Sequence, residues 1–256
     1  MPEPVRQEKL AVLILAAGKG TRMKNPQMAK VMNTINRKPM VEYVVDLAGR
    51  LRADRIILIV GWQKDNVIGH FSGSPYRVEF VEQSLQLGTG HAVLQAMEPL
   101  QDFSGDLLVL SGDVPLLTEK TVKAFIGYHR TSGAAATILT AEVESPEGYG
   151  RIIHNEDGSV KKIVEHKDAS ADELKITEIN SGIYLFNKEK LYECLPKITA
   201  NNVQKEYYLT DVFESFWKND WKVTAVKVID TIEVVGINDF GQLQKVRKIM
   251  ASQTSR

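Results

Sequence analysis

A single cysteine, Cys194, rules out an internal disulfide, and its setting in KLYECLPK suits a packed, inert thiol better than a nucleophile. No apolar run approaches the roughly eighteen residues that cross a bilayer, and nothing at the amino end reads as a signal peptide. The expectation is a soluble, cytoplasmic chain with no membrane partner. Charge of one sign is lacking too, since 32 Lys and Arg balance 32 Asp and Glu. Such a balance provides no broad field for nucleic acid, so any anion site must be built locally. Internal repeats and low-complexity tracts are absent, and no Ser, His and Asp or Cys and His arrangement stands out for nucleophilic catalysis.

What is present is enough apolar residue to bury an ample core, 43% of 256 residues. KLAVLILA (Lys9 to Ala16) is continuously apolar, as a strand covered on both faces of a parallel sheet must be. RIILIVG (Arg55 to Gly61), YRVEFVEQ (Tyr76 to Gln83) and DLLVLSGD (Asp106 to Asp113) read as further strands. Helices are expected between them at MVEYVVDLAGRL (Met40 to Leu51), at GHAVLQAM after Thr89, and at TEKTVKAFIGYHR with Thr118 as N-cap. This alternation predicts right-handed βαβ crossovers and a Rossmann-like, doubly wound α/β sheet. From Ala134 onward AAATILTAEV, GYGRIIHN, GSVKKIVEHKD and EINSGIYLFN are extended runs between turn signals, which predicts an antiparallel insertion on the sheet. A helix at KEKLYECL, apolar residues at helical spacing in EYYLTDVFESFWKNDW, a late strand at KVTAVKVI and a closing helix with Asn238 near its start complete the pattern. The polar ends, Pro2 to Lys9 and Ser252 to Arg256, are expected to fray.

Chemistry concentrates where the first strand breaks into Gly18 and Gly20. Glycines there allow positive φ and close approach of main-chain N–H groups to an anion. The spacing is neither a P-loop nor the dinucleotide fingerprint, because Met23 stands where the third glycine belongs. Lys19, Arg22 and Lys30, with Lys24, can converge on a triphosphate; the bland alternative is a solvated turn. Asp113 leaves a buried strand at the carboxyl edge of the sheet, where open α/β sheets bind ligands, although Asp before Pro115 also suits a plain turn. Mg²⁺ takes one or two protein oxygens and completes its shell with phosphate and water, so Asp113 and one further oxygen suffice. His91 and His166 fit packed or capping histidines as well as catalytic ones. Phe213, Phe216, Trp217 and Trp221 form a stripe expected in the core, and Tyr207 and Tyr208 either close a pocket or simply pack.

Taken together, LAAGKGTRM, EQSLQLGTGHAVLQA, GDVPLL, GYGRII, VEHKDA, EINSGIYLFN, NNVQKEYYLTD and VVGIND resemble the sugar-1-phosphate nucleotidyltransferases, in family order over about residues 10 to 240. QLGTGHA, VEHKDA and the NNxxxEYYLTD pattern point to the UDP-N-acetylglucosamine-forming branch. The resemblance implies one nucleotidyltransferase domain over 1–256, with a nucleotide-binding half at about 9–112 and a sugar- and metal-binding half at about 113–240. It implies UTP and N-acetylglucosamine-1-phosphate as substrates and Mg²⁺ as cofactor. Leu15, Ala16, Ala17 and Gly18 match the backbone that holds the nucleotide, and Arg22 and Lys30 match its phosphate ligands. Gln83, Gln86, Gly88 and Thr89 match the uracil site, Gly150, Glu165 and Asn180 the amino-sugar site, and Asp113 and Asn238 the metal ligands. Another sugar phosphate, another base, or a non-catalytic sugar-nucleotide sensor are the alternatives on the same fold.

Two departures stand out. Ala29 precedes Lys30 where the family commonly has proline, in a slightly longer loop. Acetylating relatives continue into a hexapeptide-repeat β-helix, and no such repeats occur before Arg256. The expectation is therefore a truncation or a stand-alone uridyltransferase, without acetyltransferase activity.

Overall fold

The computed structural model describes residues 9–23, 25 and 27–254. Its centre is β1 (Leu10–Ala16), whose side chains divide strictly by parity between two cores. Leu10, Val12, Ile14 and Ala16 enter one apolar cluster, while Ala11 and Leu13 enter the other. A strand buried on both faces has no polar positions to alternate, which is why this segment is continuously apolar.

A two-residue hairpin follows, β2 (Thr34–Ile35) and β3 (Lys38–Pro39), and then α1 (Met40–Arg50). β4 (Arg55–Val60), the short α2 (Lys64–His70), β5 (Val78–Glu82), α3 (Thr89–Leu94) and β6 (Asp106–Ser111) complete the first half. β1 lies between β4 and β6, parallel to both, and β5 extends the sheet beyond β4. α4 (Glu119–Ser132) starts at Thr118, whose hydroxyl accepts from the Thr121 N–H as an N-cap should. It ends at Gly133 in the left-handed conformation that closes helices.

β7 (Ala136–Glu142), β8 (Gly150–His154), β9 (Val160–Val164) and β10 (Glu178–Asn187) come next, then α5 (Lys188–Cys194), α6 (Val212–Lys218), β11 (Val223–Lys227) and α7 (Phe240–Thr254). The main sheet runs β11-β7-β10-β6-β1-β4-β5, with β8 and β9 branching from β10. The antiparallel insertion is thus confined to the β8–β9 hairpin. β7 and β10 belong to the main sheet, and β11 joins β7 in parallel. Residues from α1 and α4 cover one face, and residues from α3, α5 and α6 cover the other.

Phe213 and Phe216 are buried with Trp217 and Trp221 packed on them, and Cys194 is buried in the same core. Helix α2 carries no apolar stripe, with Val67 its one buried residue, and sequence periodicity does not reveal it. Lys9 does not fray, since its carbonyl accepts from Asp106 N–H, and α7 continues through Thr254; residues 2–8 and 255–256 lie outside the described residues. Among the described residues no helix is long and apolar enough to cross a membrane.

Candidate active site

A cleft of about 280 Å³ opens at the carboxyl ends of β1 and β6 and beyond β5. Leu15, Ala16, Ala17 and Gly18 form one wall, Gln83, Gln86, Gly88 and Thr89 another, and Lys30, Ser111 and Asp113 the floor between them. The first wall is held by main-chain bonds: the Leu15 carbonyl accepts from Gly112 N–H at 2.9 Å and that of Ala17 from Trp62 N–H at 3.1 Å. Gly18 needs no special conformation, since a Cβ there would meet nothing within 4 Å. Gly20 takes positive φ, 62°, and packs so tightly on Lys30 that a Cβ would stand 2.4 Å from the lysine's own. The glycine therefore seats the Lys30 stem.

The expected convergence of cations is partial. Lys30 Nζ makes a salt bridge to Asp113 Oδ2 and donates to Asn238 Oδ1 at 3.0 Å, and Arg22 donates to the same oxygen at 3.0 Å. Lys19 instead stands over the Trp62 ring, 5.2 Å from its centroid, where a cation gains from the π face; its expected part at the triphosphate is not seen. Lys24 lies outside the described residues. The gathering has a packing cause. Met23, in a 3-10 turn with Arg22, and Ile237, beside Asn238, enter one small apolar cluster with Ile35, Met40, Leu243 and Val246. Arg247 of α7 locks that cluster by donating twice to the Thr34 carbonyl, at 3.0 and 2.6 Å. The 3-10 turn and α7 are thus what carry Arg22 to Asn238.

Ala29 is fully buried with φ −57° and ψ 139°, a backbone geometry that proline also adopts. Its departure from the family pattern leaves the Lys30 turn in a proline-like path.

Gln86 donates to the Gln83 carbonyl at 3.0 Å, and the Gln83 amide is pinned by Gly88 O and His91. Gly88 has φ 112°, and a Cβ there would come within 2.6 Å of the Tyr207 carbonyl. That close approach lets Tyr207 N–H donate to Leu87 O at 2.7 Å, Gly90 N–H to Tyr207 O at 2.8 Å, and Leu209 N–H to Thr89 Oγ1 at 3.1 Å. The segment before α6 is stitched to the second wall in this way, and Glu206 joins the cleft lining.

Gly150, Glu165 and Asn180 form a second group outside the cleft lining. A Cβ on Gly150 would lie 3.4 Å from Glu165 Oε2 and 3.5 Å from Asn180 Cβ. Asn180 pairs with Gly150 across β10 and β8, and a register shift in β10 follows it, with Gly182 at φ 77° and its Cβ position 3.7 Å from Ser111 Oγ. That irregularity is what brings the group up to the cleft. Asn180 donates to the Tyr184 hydroxyl at 2.6 Å, and Thr210 donates to Glu165 Oε1 at 3.0 Å. Burial, with the Asp168 and Glu206 charges, raises the Glu165 carboxyl above its usual range, opposed by the Thr210 bond. Asp211 is pushed up to about 6 by burial and by Glu165, Asp168 and Glu214. Sequence reasoning did not single out Asp211, Thr210, Glu206, Tyr184 or Ser111. The first three lie in the motif NNVQKEYYLTD, and Ser111 stands two residues before Asp113.

Asp113 and Asn238 present hard oxygen donors to one cationic point, a set that suits a divalent ion of the Mg²⁺ type. No cluster of three or more His, Cys, Asp or Glu suited to a metal occurs among the described residues. Such an ion would therefore draw the rest of its shell from ligand oxygens and water.

Oxygens and cations meeting beside an amide-lined cleft, at the carboxyl edge of a mostly parallel sheet, define an α/β protein that holds a nucleoside phosphate. Residues 11–255 match the nucleotidyl transferase family, and the chain belongs to it. Proteins of this family act on nucleotides and sugar phosphates and generally use a divalent metal. The chain is 47% identical over 246 residues to the bifunctional protein GlmU of Acetivibrio thermocellus, covering 96% of this chain and 52% of that one. With the bifunctional protein GlmU of Geobacillus thermodenitrificans it shares 44% identity over 248 residues, covering 97% and 53%. The chain thus spans about half the length of these curated relatives. A solved UDP-glucose pyrophosphorylase complexed with UDP-glucose has the same fold, with a TM-score of 0.77, 18% identity, and coverage of 96% of this chain and 99% of that one.

Proposed function

We propose that this chain transfers UMP from UTP to N-acetylglucosamine-1-phosphate, releasing pyrophosphate and forming UDP-N-acetylglucosamine, with Mg²⁺ as the assisting ion and in the cytoplasm. The observation that carries the reading is the meeting of Lys30, Arg22, Asp113 and Asn238 at one edge of the cleft. The 44–47% identity to proteins named as GlmU supports the choice of substrates.

In this reading the main chain of Leu15 to Gly18 holds the nucleotide, and Gln83, Gln86, Gly88 and Thr89 hold uracil. Gly150 leaves room for the amino sugar, Asn180 offers it an amide, and Glu165 accepts from its hydroxyls. An oxygen of the sugar phosphate attacks the α-phosphorus in line as the bond to pyrophosphate breaks. That nucleophile is already anionic, so positioning and charge neutralisation are the catalytic tasks. Arg22 and Lys30 hold the transferring group and the departing pyrophosphate. Asp113 and Asn238 would hold Mg²⁺, which when bound neutralises charge on the phosphates.

The deciding assay is pyrophosphate release from UTP, N-acetylglucosamine-1-phosphate and Mg²⁺, set against glucose-1-phosphate and the other nucleoside triphosphates. Turnover with the first pair above all others is expected. Faster turnover with another sugar phosphate or base, or nucleotide binding without turnover, would overturn the reading.

A further inference from the structure

Gln83 projects from the end of β5 with its side chain buried to 4% exposure at the cleft wall. Its main-chain N–H is fixed on the Val60 carbonyl at 2.8 Å. Its amide nitrogen lies 3.0 Å from the Gly88 carbonyl and 3.0 Å from Nδ1 of His91. A carbonyl only accepts, so the atom facing Gly88 has to be the NH₂ group. The second amide hydrogen then meets His91 Nδ1, which has to present a lone pair. Burial holds the His91 imidazole below its ordinary range, favouring this neutral form, with the Leu85 carbonyl as a partial offset. With the lone pair on Nδ1 the ring proton is on Nε2, which stands 3.2 Å from the amide nitrogen of Gln95 and takes no hydrogen from it; that nitrogen donates instead to the His91 carbonyl at 3.1 Å.

Both hydrogens of the Gln83 amide are thereby spent inside the protein. Among the described residues no donor reaches Oε1, so the polar atom left for a ligand is an acceptor. Uracil offers a donor at N3–H, whereas cytosine offers an acceptor at N3.

Resting on the proposed uridylyl transfer, we infer that His91 is a positioning residue for base selection, holding the Gln83 amide so that it accepts from an imide N–H and rejects cytosine. His91 touches neither substrate nor reacting atoms in this role. Selectivity of this kind comes as much from refusing the wrong partner as from binding the right one. An acceptor facing an acceptor in a buried site leaves both unpaired, a penalty that amounts to about a tenfold change or more in specificity.

The test compares kcat/KM for UTP and CTP in wild type, His91→Phe and His91→Asn, with melting temperatures recorded for each. Phenylalanine keeps a ring and removes the acceptor, whereas asparagine loses the ring and can place Oδ1 near the position of Nδ1. His91→Phe is expected to lower the UTP-to-CTP ratio about tenfold or more, mostly through a raised KM for UTP and a lowered KM for CTP, with kcat for UTP changed only a few-fold. His91→Asn is expected to restore most of the ratio. A ratio unchanged in both variants, or lost equally in both, overturns the role of His91. If His91→Phe does not fold, the ratio in His91→Asn decides alone, and its collapse counts against the proposal. Wild-type turnover of UTP with the sugar phosphate tests the function separately. Without that turnover, calorimetric affinities of the same three proteins for UTP and CTP still measure the ratio.

Discussion

Asp211, at the start of α6, is half-buried and faces the negative charges of Glu165, Asp168 and Glu214; burial first, and these charges after it, push its carboxyl up from 3.8 to about 6. A carboxyl whose pKa is raised on folding binds its proton more tightly in the native state than in the unfolded one. Stability is then greatest below the unfolded value and falls as pH rises through the window between the two. A shift of about two units corresponds to an upper limit of ~3 kcal/mol, and solvent screening at a half-exposed site reduces this to about 1 kcal/mol. The charge also sits at a helix N-terminus, which returns ~0.3–1 kcal/mol in its favour at any pH where it is ionised. Asp211→Asn removes the titration. At about 2–4 °C per kcal/mol for a chain of this size, the melting temperature of the variant relative to wild type should rise by about 1–4 °C between pH 4 and pH 8. Thermal melts by circular dichroism at both pH values provide the measurement. A difference that is flat with pH, or that grows more negative toward pH 8, would refute the electrostatic argument.

Three other outcomes follow from the geometry. Arg22→Ala should lower kcat by about a hundredfold with a smaller change in the KM for UTP, because its guanidinium is assigned to charge on the transferring phosphoryl group; wild-type turnover would exclude that role. Ala29→Pro should keep activity and leave the melting temperature unchanged or slightly higher, since φ is already −57° and a proline there would restrict the unfolded chain by ~0.4–1 kcal/mol; loss of activity would show that the Lys30 turn does not follow a proline-like path. Phe213→Ala should cost about 3–5 kcal/mol in urea unfolding, because the ring is fully buried and packs in tilted contacts, with centroids 5.6–6.1 Å apart, against Tyr184, Phe186, Phe216 and Trp217; a loss under about 1 kcal/mol would mean the cluster collapses around the gap.

Much of the sheet is legible in one dimension. β1 is apolar throughout, and β4 and β6 are apolar over Ile56 to Val60 and Leu107 to Leu110, because alternate side chains enter opposite cores. The start of α4 is equally legible, since Thr118 supplies its own cap within three residues. Two short elements are not: α2 buries only Val67 and the β2–β3 hairpin has two residues per strand, so neither shows a period, and β11 reads as a strand without revealing that it pairs in parallel with β7. At the candidate site, motif positions identified residues that the fold gathers, including Gly150, Glu165 and Asn180. That Lys19 stands over Trp62, 43 residues further along, was not legible, because charge in a loop says nothing of the aromatic ring that receives it.

By itself the sequence determined which segments are buried on two faces and where several helices begin, because those properties depend on neighbours within a few positions. Only the tertiary structure decided that Lys30 meets Asp113 and Asn238, across 83 and 208 residues, and that both Gln83 amide hydrogens are spent inside the protein. The reason is physical: such contacts depend on packing between distant segments, as when Met23 and Ile237 share an apolar cluster, and no local periodicity encodes which remote surface a side chain will meet.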